Sequence, residues 1–351
     1  MLETPNWTSE FSRAFKNIHT LYQFLEWDLT EEISEVAKTY PVFIPMNLAR
    51  KIKFQGPHGV LAKEFLPDPS ETNPDLKGSD DPIGDKTHLV APQLIHRYPS
   101  RALFTVTSIC PVLCRYCFRK NELETTDKLF ETQFDQTLSY LKAHPEVSEI
   151  IFTGGDPLTL SNEKLEKYFK AFSAIGSIKD IRFHTRYPVI LPERIDEGFI
   201  QLLNNYSEVF RTVSIAIHCN HVDEIDEAAE LAIRKLSFSQ AQLLSQTVML
   251  KGVNDDTEVL LGLFNKFLDL KIRPYYLHHP DEVKGGMHFS LSIQTGRKIY
   301  QGLRKSLPGW ALPLYVIDLP GGHGKISAFN PETEDFSGTF LTMNGDSFSI
   351  F

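Results

Sequence analysis

The sequence predicts an α/β fold: a partial (βα)6-type TIM barrel with an N-terminal helical region and a C-terminal β-hairpin. Three observations lead there. From residue 102 onward, short β-rich runs alternate six times with amphipathic helical stretches, as a parallel sheet with outer helices requires. Before residue 90 the apolar spacing is helical instead. At the far end, two short runs flank Asn344–Gly345, a dipeptide suited to the tight turn of a hairpin.

Along the chain, residues 8–25 and 30–39 read as amphipathic helices, and the polar, Pro/Asp/Gly-rich passage 67–86 reads as a surface linker. Strands are expected at 102–108, 149–153, 180–185, 213–219, 241–250 and 273–278. The intervening helices are expected at 132–144, 161–174, 192–206, 222–236, 256–270 and 292–307. A further β run, 312–318, precedes a glycine-rich loop, and 336–341 with 347–351 form the hairpin, an edge or dimer element. The expected division is 1–90 for the helical region and linker, 91–330 for the barrel and 331–351 for the hairpin. In such barrels chemistry sits at the C-terminal ends of strands.

The 351 residues carry a formal net charge of −9, with a pI near 5.8. That balance argues against a nucleic-acid groove or a polybasic membrane surface. No apolar run approaches a membrane span, and the first residues lack the apolar stretch of a secretory signal. Three of the four cysteines fall within eight residues, which points to metal ligation in a reducing compartment, so a cytoplasmic protein is expected.

Those three form Cys110-Pro-Val-Leu-Cys114-Arg-Tyr-Cys117, just after the first expected barrel strand. Thiolates suit iron–sulfur clusters, and three ligands on a four-iron cube leave one iron open. A structural zinc site would need a fourth ligand. The second strand ends in Thr153-Gly154-Gly155-Asp156, where glycines permit close backbone approach and a carboxylate can accept a charge-assisted hydrogen bond.

The C-x3-C-x2-C spacing, with Tyr116 before the last cysteine, resembles the radical S-adenosylmethionine superfamily. The resemblance implies a [4Fe–4S] cluster on Cys110, Cys114 and Cys117. It also implies S-adenosylmethionine bound near Tyr116, Gly154, Gly155 and Asp156, and a radical SAM type of barrel. From about residue 96 to 325 the chain further resembles the lysine 2,3-aminomutase family. His96-Arg97-Tyr98-Pro99-Ser100-Arg101 matches the segment that holds the phosphate of pyridoxal 5′-phosphate (PLP), and Pro320-Gly321-Gly322-His323-Gly324-Lys325 matches the segment carrying the lysine that bonds to PLP. A Walker loop would place Ser or Thr after the lysine, and Ile326 stands there.

By the same resemblance Arg119 grips a substrate α-carboxylate, Asp281 and Asp318 hold the ε-ammonium of lysine, and His218 and Gln246 contact cofactor. Cys219 reads as a buried thiol rather than a ligand. The implied activity is conversion of L-lysine to β-lysine, with an electron donor such as flavodoxin or ferredoxin and a homo-oligomeric assembly. The longer, clostridial type of this family carries C-terminal zinc-binding cysteines, but no cysteine follows Cys219 here. The length is nearer the branch that makes β-lysine for elongation factor P, although that branch lacks the Pro-Gly-Gly run. A PLP-independent radical enzyme and a non-catalytic iron–sulfur protein are the remaining alternatives.

Overall fold

The computed structural model describes residues 6–123, 133–329, 338–341 and 347–350. Ten strands form one sheet in sequence order: β1 (Leu89–Ala91), β2 (Leu94–Tyr98), β3 (Arg101–Thr107), β4 (Glu149–Gly154), β5 (Asp180–Thr185), β6 (Thr212–His218), β7 (Gln242–Val248), β8 (Arg273–His278), β9 (Leu314–Leu319) and β10 (Gly324–Ser327). From β3 to β9 every neighbour is parallel; β1, β2 and β10 are antiparallel additions at the two edges. The sheet is therefore a partial barrel with two antiparallel strands on one flank and one on the other. Buried runs such as β4 and β6 fit strands covered on both faces.

Helices Phe134–Ala143, Asn162–Ser173, Glu197–Ser207, Glu227–Ser237, Thr257–Asp269 and Ile293–Ser306 follow successive strands. Five of them start where a side chain can take up free amide groups: Ser161, Asp196, Asp226, Asp256 and Ser292 each accept from backbone N–H one to three residues into the helix. Their apolar faces pack on the sheet around an aromatic centre that includes Phe104, Phe152, Phe172 and Phe183.

The N-terminal region is helical, as expected, with five helices: Trp7–Ser12, Ile18–Leu25, Glu31–Thr39, Met46–Gln55 and Val60–Phe65. The last two were not singled out by sequence. Leu21, Leu48, Ile52 and Phe65 from these helices belong to the barrel's own core. The passage 67–86 is a surface linker only in part: residues 72–75, 79 and 80 are exposed, while others turn inward. Glu71, Ile83 and Asp85 are buried in it, because each faces the barrel's functional end. Glu71 binds Arg115 through both carboxylate oxygens (2.9 and 2.5 Å) and Lys120 at 2.8 Å, so the N-terminal region clamps the loop bearing the cysteines.

β11 (Gly338–Leu341) and β12 (Ser347–Ile350) pair antiparallel as a separate hairpin. Its expected turn at Asn344–Gly345 lies outside the described residues, as does Phe336.

Candidate active site

A cavity of about 220 Å³ opens at the C-terminal ends of β3–β9. Every site residue inferred from sequence lines it: the three cysteines and Tyr116, Arg97, Tyr98 and Arg101, Arg119, the Gly154–Asp156 turn, His218 and Gln246, Asp281, Asp318 and Lys325. Ile83, Ile95, Leu103, Val112 and Ile151 supply apolar wall.

At one end stands the cysteine loop. Arg115 points away from the cavity, into the N-terminal region, while its neighbours Cys114 and Cys117 face inward. All four cysteines are free, and Cys219 is fully buried behind the site. Burial raises the thiols of Cys110, Cys114 and Cys117 above their ordinary range, Cys117 to about 12. Three half-buried thiols on one cavity fit three ligands of a cluster, whose positive iron would favour thiolates against that burial.

Close backbone approach is built in beside them. Gly154 has φ +111°, and a Cβ on Gly155 would stand 2.2 Å from the Ile109 carbonyl oxygen. Asp156 does not present free lone pairs to the cavity. Its carboxylate accepts from Thr185 Oγ1 (2.8 and 2.9 Å), the Arg186 N–H (2.6 Å) and the Leu158 N–H (3.0 Å). Asp156 thus ties the end of β4 to the end of β5; the glycine backbone is the part left exposed. Burial, outweighing these hydrogen bonds, pushes its carboxyl up to about 6.

Sequence reasoning missed the cation here. Arg186 donates to Cys114 Sγ (2.9 Å) and to the Tyr116 hydroxyl, and pairs with the fully buried Glu224 and with Glu64 at 3.6 Å. Burial and the neighbouring Glu224 raise Glu64 to about 8. Arg186 immediately follows β5, so a reading of every strand end would have found it. The Tyr116 hydroxyl also meets His218 Nε2 at 3.0 Å, and burial together with Arg186 keeps that imidazole neutral.

The other end is set by strand register. In the antiparallel pair β9–β10, Asp318 and Lys325 are direct partners, and Lys325 Nζ lies 2.8 Å from both carboxylate oxygens. Lys325 was expected on a loose glycine loop; it stands on a strand, with its N–H donating to the Tyr98 hydroxyl at 2.8 Å. Tyr98 and Arg101 are likewise partners across β2–β3, and the guanidinium lies 3.7 Å from the ring centroid. His218 and Gln246 are register partners on β6 and β7; Gln246 Nε2 lies 3.2 Å from His278 Nε2, whose Nδ1 is 3.6 Å from Asp318.

Charge at this end is partitioned between two acids. Asp318, although buried, is held well below the usual carboxylate range by Lys325 and His278. Burial and then the Asp318 charge push Asp281 up to about 8. Burial opposes the charged form of Lys325, but Asp318 outweighs it and the amine is raised above its ordinary value. Arg97 and Arg119 each pair with Asp85 at 2.5 Å, a residue no motif had marked. Arg97 Nε, Arg119 Nε and His184 Nε2 are buried without a hydrogen-bond partner on side chains that line the cavity, which suits a polar, anionic ligand such as PLP or an amino acid.

The family model of the Radical SAM superfamily matches residues 104–264. The chain is 35% identical over 90% of its length to a protein of Aquifex aeolicus, 86% of which is covered, that carries the name L-lysine 2,3-aminomutase provisionally. It is 31% identical to the L-lysine 2,3-aminomutase of Escherichia coli, over 92% of this chain and 95% of that one.

The chain belongs to the lysine 2,3-aminomutase family.

A third relative, the L-lysine 2,3-aminomutase of Clostridium subterminale, is 30% identical over 91% of this chain and 77% of its own length. Lysine 2,3-aminomutases are radical S-adenosylmethionine isomerases, so the cofactors here are a [4Fe–4S] cluster, S-adenosylmethionine and PLP. No helix among the described residues is long and apolar enough to cross a membrane.

Proposed function

We propose that this aminomutase acts on L-lysine, moving the amino group from C2 to C3 to give β-lysine. One observation carries the substrate assignment. A single cavity offers a guanidinium, Arg119, and two acids, the half-buried Asp281 and the buried Asp318, with the Asp85–Arg97 pair between them. A substrate with a carboxylate at one end and a second cation at the other matches that sequence of charges.

The cysteines would hold the cluster, with S-adenosylmethionine beside Gly154 and Gly155, and Lys325, Tyr98, Arg97 and Arg101 would hold PLP. When bound, these groups supply a hydrogen-abstracting radical and a covalent hold on the migrating nitrogen. The protein supplies position and dryness. Arg119 binds the α-carboxylate through fixed N–H groups. Asp318 now carries the ammonium of Lys325; once that amine is engaged elsewhere, the same carboxylate can accept the substrate's ε-ammonium. Asp281 joins it by losing its proton. The apolar wall keeps water from the reacting carbons.

The same reading calls for a one-electron donor, flavodoxin or ferredoxin, and a homo-oligomer. The match covers 95% of the E. coli relative and 77% of the clostridial one, and identity does not separate the two. The test is an anaerobic assay of reconstituted protein with reductant, S-adenosylmethionine, PLP and L-lysine, read by mass-resolved detection of β-lysine. Formation of β-lysine supports the assignment. Deoxyadenosine without β-lysine would move the substrate elsewhere, with glutamate and ornithine tried next.

A further inference from the structure

Asp85 opens a short 3-10 turn, Asp85–His88, in the passage that covers the cavity. Its two oxygens serve two different arginines: Oδ1 accepts from Arg97 Nη2 and Oδ2 from Arg119 Nη2, both at 2.5 Å. All three side chains are at least 92% buried, with exposures of 5%, 5% and 8%. The Ile83 carbonyl accepts from the same Arg97 nitrogen at 2.8 Å. Each arginine thus gives one terminal nitrogen to this strap; the other donates to Glu122 at 3.5 Å in Arg119 and lies 3.8 Å from Asp318 in Arg97. The Nε of each remains buried and unpartnered.

A carboxylate that merely neutralised one arginine would be expected to take it through both oxygens, in the parallel fork that guanidinium and carboxylate prefer. Here the fork is split. Two guanidiniums that would otherwise repel are drawn to one anion, and neither is taken up by it through both terminal nitrogens. The strap itself is pinned: Asp81 accepts from the N–H of Asp85 (2.9 Å) and of Lys86 (3.1 Å). It also packs directly on the loop that leads to Lys325. His88 Nε2 meets the Gly322 carbonyl at 3.1 Å, and a Cβ on Gly84 would stand 2.3 Å from the Gly322 nitrogen.

We propose that Asp85 is a positioning residue of this aminomutase, holding Arg97 and Arg119 by one nitrogen each so that both guanidiniums stay on the cavity wall for the anionic groups of cofactor and substrate. The proposal rests on the lysine reading above for the substrate arm only. Because the strap and the lysine loop are packed together, Asp85 couples the hold on the α-carboxylate to the placement of the lysine strand.

The experiment compares wild type with Asp85→Asn in the full-length, reconstituted enzyme. Four quantities are read: iron content, PLP affinity by absorbance titration, KM for L-lysine, and the inhibition constant of cadaverine, which is lysine without its carboxylate. Iron content should not change. KM for lysine should rise by about ten- to hundredfold and PLP affinity should weaken in the same direction, because two desolvated charges lose their shared partner. The cadaverine constant should stay within about twofold, since cadaverine has no group for Arg119. Asp81→Ala, which loosens the strap without touching either arginine, should give a smaller shift of the same sign.

A fall in lysine KM on losing the Asp85 charge would overturn the proposal, because Asp85 would then be a competitor occupying the substrate's place. Equal weakening of lysine and cadaverine would overturn it too, marking Asp85 as a structural residue only. If Asp85→Asn does not fold, Asp81→Ala decides by the same criteria. Should wild type make no β-lysine, the substrate assignment has failed, and the PLP titration still judges Asp85 through Arg97.

Discussion

The two ends of the cavity solve the problem of buried charge differently. At the cysteine end, one cation, Arg186, is fixed between Glu64 and Glu224 and reaches Cys114 and Tyr116; Glu64 comes from the N-terminal helices. At the Lys325 end, charges alternate in a line: Arg119, Asp85, Arg97, Asp318, Lys325. The first is a knot gathered around a single cation, whose Nε, like those of Arg97 and Arg119, is buried without a partner. The second is a row of exchangeable pairs, with buried nitrogens still unpartnered on both arginines. A knot around one cation secures a scaffold, while a row of pairs is where ligands can substitute for side chains.

The largest expected effects separate the ends by cofactor. Cys114→Ala should lose iron and abolish cleavage of S-adenosylmethionine. Lys325→Ala should keep iron content, lose stable PLP absorbance and lose β-lysine formation; unchanged PLP loading would sink the role given to Lys325. Next comes stability. Glu224→Gln leaves Arg186 buried beside a neutral partner and should cost about 3–5 kcal/mol in denaturant unfolding. Asp318→Asn, whose partner Lys325 is a quarter exposed, should cost far less stability yet raise KM for lysine. If both variants unfold alike, the distinction between knot and row is wrong.

The smallest effect is in pH. Asp281, pushed up to about 8, is protonated at neutral pH and must give up that proton to hold a cation. KM for lysine should therefore fall as pH rises and level off above about 8, by up to tenfold per unit below it. Asp281→Asn should flatten the profile. A slope that survives this substitution would assign it to another group.

Much of this was readable in the sequence, for definite reasons. Motifs at strand ends, such as Cys110–Cys117 and Gly154–Asp156, are contiguous, so spacing alone exposes them. The parallel strands were legible because each alternated with an amphipathic helical stretch. Asp85 was not, because an acid in a Pro/Asp/Gly-rich passage looks the same whether it is solvated or clasped by two arginines. Arg186, Glu64 and Glu224 come from three separate elements, and only folding brings them together. The pairing of Lys325 with Asp318 was hidden for the opposite reason. The residues between them looked like a flexible loop, and the short strand beyond was too brief to show a pattern.

That pairing sets a limit on how this site can be rebuilt. Side chains alternate along a strand, so moving β10 by one position against β9 would turn the Lys325 amine to the opposite face. The turn at Pro320–His323 therefore acts as a ruler. Its composition can be varied, but adding or removing a single residue would leave a folded barrel whose amine points out of the cavity.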